Sequence, residues 1–407
     1  MRIAIIGQGY VGLTISSGAL SANHEVLGID ISESLVENLN KGISHIEGIA
    51  SHVLKDGIEQ GKFRASIDFS EIRSAEIVII AVPTPLDSEG NPDITILESA
   101  VNSIASNLSE GALVINESTS FIGTLRKVIA QPIMEKNSKI IDFAVSPERV
   151  DPGNEKFNIK NTPRLVGGIN QQSTDRAVAF YSTFCDQVVK VSSPEVAEAA
   201  KLLENTFRFV NIGFVNEFTQ IMNALQIPAS EVISAAATKP YGFAPFFPNV
   251  GIGGHCIPVD PLYLQKNAKE IDLESKYVQI SKKFNEDMPA YSVNRLEQLY
   301  GSLRDVHVLL IGVSYKPNIS DTRESPAESV IHHLLEKGAK VSWHDPLVFR
   351  FSGQISSPIK GDYDLALVLV KHQVLDMSSW SSKPIFSVNY DPLEPNWIPI
   401  LGSRIYK

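Results

Sequence analysis

Two cysteines occur in 407 residues, and they sit in unlike surroundings. Cys256 lies in Gly251-Ile-Gly253-Gly254-His255-Cys256-Ile-Pro258-Val-Asp260-Pro261. Three glycines let backbone come close to a ligand, and the thiol stands just ahead of a helix expected to start at Asp260-Pro261. A free thiol at its ordinary pKa is mostly protonated at neutral pH. A helix N-terminus, His255 or a lysine would raise the thiolate fraction, which points to a nucleophile; the bland alternative is a small buried hydrophobe. Cys185, in Tyr181-Ser-Thr-Phe-Cys185, fits that alternative. No Cys-x-x-Cys is present, and His255 with Cys256 lacks further ligands at suitable spacing, so neither a disulfide framework nor a metal centre is expected.

Other polar residues have readings of both kinds. Asp260 before Pro261 is a helix N-cap pair, and its carboxylate is also available for acid–base work. Lys201 and Asn205 are four apart on an expected long helix and share a face, with Glu198 three before Lys201 and able to pair with it. Taken alone, a charged helix position is usually a solvated face. Lys316 and Arg323, in Gly312-Val-Ser-Tyr-Lys316-Pro-Asn-Ile-Ser-Asp321-Thr-Arg323, lie between a strand end and a helix start. They could meet phosphates or serve loop solubility.

The elements that must hold these groups begin at the first residue. Residues 2–6 read as a buried strand. Gly7-Gln-Gly9-Tyr10-Val11-Gly12 follows, then a helix over 13–20 and a second strand ending in Asp30. Strand, glycine turn, helix and acid together form a dinucleotide fingerprint. Gly7 permits the turn, Gly9 lets backbone approach a pyrophosphate and Gly12 lets helix pack on strand. Asp30 suits a free ribose 2′-hydroxyl, so NAD is expected over NADP.

Apolar runs at 76–82, 112–116 and 140–144 read as parallel strands covered on both faces. They end at Pro83-Thr84-Pro85, Glu117-Ser-Thr119 and Ser146-Pro-Glu148-Arg149. Ligands of open α/β sheets lie beyond such ends, although ordinary turn chemistry would account for any one of them. Pro194 can open a helix, and 195–225 contains no further proline; about 45 Å of helix would link domains and offer a dimer surface. Further helices are expected over Ala229–Ala237 and Lys276–Tyr300. A second α/β unit follows, with strands over 306–312, 341–345 and 364–370 and a capping box at Ser325-Pro326-Ala-Glu328. The expected fold is α/β, two Rossmann-like doubly wound domains joined by a long central helix. The divisions are 1–190, binding NAD; 191–300, helical, for dimerisation and linkage; and 301–407, which lacks a second Gly-x-Gly-x-x-Gly and so binds something other than a dinucleotide, or binds it differently. A net charge of −10 argues against nucleic acid, and no apolar run reaches the roughly 20 residues of a membrane span. A reducing cytoplasm fits the cysteine usage.

These segments, in order over nearly the whole chain, resemble the UDP-glucose/GDP-mannose dehydrogenase family. They are Gly7-Gln-Gly-Tyr-Val-Gly12, Val82-Pro-Thr-Pro85, Glu117-Ser-Thr119, Ser146-Pro-Glu-Arg149, Lys201-Leu-Leu-Glu-Asn205, Gly253-Gly-His-Cys256 and Lys316 through Ser325. Ser146-Pro-Glu-Arg-Val-Asp-Pro-Gly153, Ala237-Thr-Lys239-Pro-Tyr-Gly-Phe243 and Gly254-His-Cys-Ile-Pro-Val-Asp260 are most similar to the branch acting on UDP-N-acetylhexosamines, above all UDP-N-acetylglucosamine.

The resemblance implies a four-electron oxidation of the sugar C6 alcohol to a carboxylate with two NAD, supplying a uronic acid for surface polysaccharide. It assigns Cys256 as nucleophile, Lys201 as base or oxyanion partner, and Asn205 and a Thr119-held water as oxyanion stabilisers. Asp260 would help activate water and Glu148 act in hydrolysis. The implied cofactor contacts are Gly7, Gly9, Tyr10, Val11, Gly12, Asp30, Thr84, Thr119 and Arg323. The implied substrate contacts are Glu148, Arg149, Val150, Lys201, Asn205, Lys239, Asn249, Gly253 and Lys316. A homodimer or larger assembly through the long helix is implied too. The chain departs from the family near its C-terminus, where Ser387-Val-Asn-Tyr390-Asp391 replaces a frequent Asp-x-Arg. UDP-glucose or UDP-N-acetylmannosamine are alternative substrates; a non-catalytic dinucleotide sensor is the alternative of another class.

Overall fold

The run Ile3-Ala-Ile-Ile6 is apolar at every position, so it can be buried on both faces once its backbone is paired on both edges. It forms β1 (Arg2–Ile6), parallel to β2 (Glu25–Ile29) on one side and to β4 (Ile77–Ile80) on the other. The computed structural model describes residues 1–46, 51–151, 154, 156–380 and 383–401. Pro152 and Gly153, which end one of the discriminating segments, lie outside the described residues.

The chain divides into two units, Met1–Glu204 with Leu262–Leu273, and Asn205–Pro261 with Glu274–Lys407. In the first, β3 (Phe63–Ser66), β5 (Leu113–Asn116), β6 (Asp142–Val145), β7 (Arg164–Gly168) and β8 (Val188–Lys190) complete one sheet of order β3-β2-β1-β4-β5-β6-β7-β8. All its pairings are parallel except β6 with β7. Chain order reverses between β1 and β4, the switch point where such sheets bind ligands. Ile3 and Ile5 face a core that includes α1 (Tyr10–Ser21), α2 (Glu33–Asn40), α3 (Ser51–Glu59) and α6 (Gln171–Tyr181). Ala4 and Ile6 face the opposite core, with α4 (Thr95–Ala105) and α5 (Gln131–Lys136). Each fully buried isoleucine of these layers contributes about 2 kcal/mol by transfer from water.

The second unit carries a five-stranded parallel sheet. It consists of β9 (His307–Ile311), β10 (Lys340–His344), β13 (Leu365–Val368), β14 (Ile385–Ser387) and β15 (Ile398–Pro399), in order β10-β9-β13-β14-β15. A small antiparallel pair, β11 (Arg350–Phe351) and β12 (Gln354–Ile355), follows β10. The helices are α8 (Ala229–Ala237), α10 (Lys276–Tyr300) and α11 (Ala327–Glu336). Two further helices cross the division of the chain. They are α7 (Pro194–Ala224), 31 residues long, and α9 (Asp260–Glu270). Among the described residues no helix is long and apolar enough to cross a membrane.

Two local expectations need correcting. The Ser325 hydroxyl accepts the Ala327 N–H at 3.3 Å, but Glu328, the other half of the expected capping box, receives the Ser352 hydroxyl at 3.1 Å. Glu198 does not pair with Lys201. Its buried carboxylate takes the N–H groups of Gly123 and Leu125 at 2.6 and 2.9 Å, capping the helical turn that leads into α5. Burial pushes its pKa up to about 7.

Candidate functional site

The predicted site residues fall into two groups, one in each unit. In the first, the β1–α1 turn is built around absent side chains. A Cβ on Gly12 would stand 1.8 Å from the Gly7 carbonyl oxygen, and one on Gly7, which has φ +87°, would stand 2.5 Å from the Ala81 oxygen. Gly9 differs, because its Cβ would meet nothing within 4 Å. Among the described residues no side chain caps α1 at Gly9, so the first-turn N–H groups, with Tyr10 and Val11, are available to an anion. The Asp30 carboxylate is held by the Gln8 N–H at 2.8 Å and the Ser32 N–H at 3.0 Å. The Thr84 hydroxyl donates to the Thr119 carbonyl at 2.6 Å, tying the ends of β4 and β5 together. An open glycine at a helix N-terminus, with an anchored acid at the neighbouring strand end, fits a dinucleotide with a free 2′-hydroxyl.

Beyond β5 and β6 lies a buried ionic cluster. Arg164, at the start of β7 and 4% exposed, extends its guanidinium to Glu117 at 3.1–3.3 Å and to Glu148 at 3.0 Å. Tyr181 donates its hydroxyl to Glu117, and its ring lies 4.7 Å from the guanidinium carbon. Glu148 also accepts the N–H groups of Arg149 and Val150, both at 2.6 Å. One cation cannot offset two buried carboxylates. Burial therefore dominates at Glu117 and pushes its pKa up to about 8. At Glu148 burial pulls the same way, but Arg164, the two N–H groups and Lys201 outweigh it and hold the carboxyl below its usual range. Lys201 donates to the Glu148 carbonyl at 2.6 Å, so lysine and carboxylate belong to one construction. Arg149 is bound by Glu204 at 2.7 Å and by the Pro163 carbonyl at 2.6 Å.

The second group surrounds Cys256. Its carbonyl accepts the N–H groups of Val259 and Asp260 at 3.2 and 2.8 Å, forming the turn that opens α9. The buried Asp260 carboxylate accepts the side-chain amide of Asn205, itself buried. The Gly254 N–H donates to the Arg323 carbonyl at 3.0 Å. The glycines here also make room for the protein's own packing. A Cβ on Gly253 would lie 2.6 Å from the Tyr315 Cβ, and one on Gly254 would lie 2.8 Å from the Tyr315 ring. The Arg323 guanidinium is held chiefly by Asp321, and a thiolate at Cys256 also favours its charge. Lys316 stands in the loop after β9. The Asn249 N–H donates to Asn216 at 3.1 Å. Lys239 lies on an exposed segment after α8, its ammonium 4.9 Å from the Tyr241 ring centroid. Where the family often has Asp-x-Arg, Asn389 donates to the Pro248 carbonyl at 2.6 Å and Asp391 pairs with Lys371 at 2.8 Å.

Sequence reasoning missed Arg164 and Tyr181 as site residues. An arginine heading an otherwise apolar strand, Arg164-Leu-Val-Gly-Gly, was the available signal, since such a residue is buried only when paired.

Family models match three stretches of the chain. Residues 1–185 match the NAD binding domain of the UDP-glucose/GDP-mannose dehydrogenase family, 195–287 its central domain and 309–384 its UDP binding domain. The chain is 31% identical to a UDP-N-acetyl-D-mannosamine dehydrogenase of Pyrococcus horikoshii, over 94% of this chain and 92% of that protein. It is also 31% identical to a UDP-N-acetyl-D-glucosamine 6-dehydrogenase of Pseudomonas aeruginosa, over 91% and 90%. The solved structure of UDP-D-ManNAc dehydrogenase from Pyrococcus horikoshii superposes with a TM-score of 0.87 at 29% identity, covering 98% of this chain and 99% of that one. The glycine turn with its anchored acid, the two largely parallel sheets and the matched domains lead to one conclusion: the chain belongs to the UDP-glucose/GDP-mannose dehydrogenase family and is an NAD-dependent nucleotide-sugar dehydrogenase.

Proposed function

We propose that the chain oxidises the C6 alcohol of a UDP-N-acetylhexosamine to the carboxylate, releasing no free aldehyde. The observation that carries this is the Cys256–Asp260 turn, where the Asp260 N–H donates to the Cys256 carbonyl and the buried Asp260 carboxylate accepts the Asn205 amide, so thiol and carboxylate share one short segment and the amide is bonded to it. NAD, held by the β1–α1 turn and Asp30, would supply the hydride acceptor for each of two oxidations. Lys201, oriented by the Glu148 carbonyl, takes the C6 hydroxyl proton or stabilises the resulting oxyanion. Asn205 and a water on Thr119 share the oxyanion's charge. The Cys256 sulfur adds to the aldehyde carbon, giving a thiohemiacetal, and loss of the second hydride from that carbon leaves a thioester. Water then attacks the thioester, and the C–S bond breaks to return the thiol. Glu148, kept as a carboxylate, takes the water's proton, and Asp260 orients the water. Lys316 meets the UDP diphosphate and Arg323 the NAD phosphates. Val150, Asn249 and Gly253 contribute backbone and amide groups to the sugar site, Arg149 and Lys239 charge.

UDP-N-acetylglucosamine is the favoured substrate on the Ser146-Pro-Glu-Arg149 and Lys239 segments. UDP-N-acetylmannosamine is the second reading, because a relative of equal identity carries that name. The product suits surface polysaccharide synthesis in the cytoplasm. We infer a homodimer through α7, where Leu203, Phe207, Phe214 and Ile221 remain more than half exposed at spacings of four and seven. Cys256→Ala tests the chemistry. Uronic acid formation is expected to vanish while NAD still binds; full acid formation would rule out the thioester route.

A further inference from the structure

Lys316 lies in a loop held by a buried cluster that the reaction itself does not require. The loop leaves β9 at Gly312, where φ is +82° and a Cβ would stand 2.2 Å from the Val370 carbonyl oxygen. The Val313 and Ser314 N–H groups donate to one oxygen of Asp345, at the end of β10, at 2.8 and 3.2 Å. The other oxygen of Asp345 accepts the Leu347 and Val348 N–H groups at 2.8 and 3.1 Å. His372, just beyond β13 and wholly buried, closes the cluster. Its Nδ1 accepts the Asn318 N–H at 2.9 Å, which leaves the proton of the neutral ring on Nε2. That Nε2–H faces Asp345 at 3.1 Å and the Ser314 oxygen at 3.2 Å. The Ser314 hydroxyl in turn donates to the Lys316 carbonyl at 2.9 Å. Asn318, with φ +64°, accepts the Gln373 N–H at 2.8 Å.

The ends of three neighbouring strands, β10, β9 and β13, are thus laced through one imidazole to the loop bearing Lys316. Such strand ends are where open parallel sheets bind ligands. A loop bonded at both ends and at its middle carbonyl spends little ordering entropy when it receives an anion.

We propose that His372 is a positioning residue for nucleoside diphosphate binding. As the neutral Nε2–H tautomer bridging Asp345, Ser314 and Asn318, it fixes the backbone from which Lys316 reaches the diphosphate. This rests on the reading that Lys316 meets the UDP diphosphate.

The test is calorimetric binding of UDP to the full chain in wild type, Lys316→Ala, His372→Ala and the double variant, with NAD titrated in parallel. Losing one charge-assisted contact weakens UDP binding about 10-fold or more. Lys316→Ala and His372→Ala should each show such a loss, with NAD affinity unchanged. The double variant should bind within about 2-fold of Lys316→Ala, because His372 acts through the lysine. If His372→Ala does not fold, Ser314→Ala carries the test, since it removes the hydroxyl linking the ring to the Lys316 carbonyl. His372→Gln, which keeps an acceptor and a donor, should recover part of the affinity. Wild-type UDP affinity in both His372→Ala and Ser314→Ala beside a weakened Lys316→Ala, or losses that add in the double variant, would overturn the inference alone. Unchanged UDP affinity in Lys316→Ala would overturn the reading of that lysine and the inference with it.

Discussion

Arg164→Met removes the guanidinium from the Glu117–Glu148 cluster while keeping much of the side-chain volume. At 4% exposure, no solvent replaces the lost cation. Glu148 keeps the Arg149 and Val150 N–H groups on one oxygen but loses its 3.0 Å partner on the other. Glu117 keeps only the Tyr181 hydroxyl among the hydrogen bonds described for it. Breaking a buried ion pair from one side costs about 3–5 kcal/mol. For a unit of this size, about 2–4 °C per kcal/mol gives a fall of about 6–20 °C in the first thermal transition. Kinetics should change as well, because Arg164 is the first of the groups that overcome the burial penalty at Glu148. Without it the carboxyl pKa rises, and each unit of rise removes about 10-fold of the rate on the acid side. The assays are calorimetry and the pH dependence of turnover, with Arg164→Lys as a control that restores charge but not the two-pronged geometry. Melting within about 2 °C of wild type would refute the structural reasoning. A lower melting point with an unshifted acid limb would refute the role given to the Glu148 carboxylate.

Gly12→Ala drives a methyl group into the Gly7 carbonyl, so both thermal stability and NAD affinity should fall; Gly9→Ala should melt like wild type yet bind NAD weakly, as titration of each variant would reveal. For Glu198, burial raises the folded-state pKa to about 7, so the folded chain holds a proton that the unfolded chain has released. Its contribution is full below the ordinary glutamate value and is lost as pH rises through about 7. The melting point should therefore fall between pH 5 and 8, and Glu198→Gln should reduce that fall; an unchanged slope would contradict the assignment.

Local chemistry was legible in the sequence wherever a few neighbouring residues decide it. Gly7 through Asp30 specify strand, turn, helix and acid within thirty residues, and all four elements are present. Pro194 and the absence of a second proline account for α7. The apolar runs ending at Val82, Asn116 and Ala144 became parallel strands at the expected places. What could not be read depends on pairing across the sheet. Glu198 finds its partners in Gly123 and Leu125, far off in sequence, while spacing along the helix suggested Lys201. Arg164 acquires its meaning when β5 and β6 bring Glu117 and Glu148 to their shared end. The glycines before Cys256 also clear Tyr315 and Pro326, a demand that no local spacing announces.

A double oxidation held on Cys256 fixes the yield of NADH per nucleotide sugar consumed. With limiting UDP-N-acetylglucosamine and, separately, UDP-N-acetylmannosamine and UDP-glucose, two NADH and one uronic acid per sugar are expected, with an N-acetylhexosamine preferred. One NADH per sugar with aldehyde released, or none with any sugar, would contradict it.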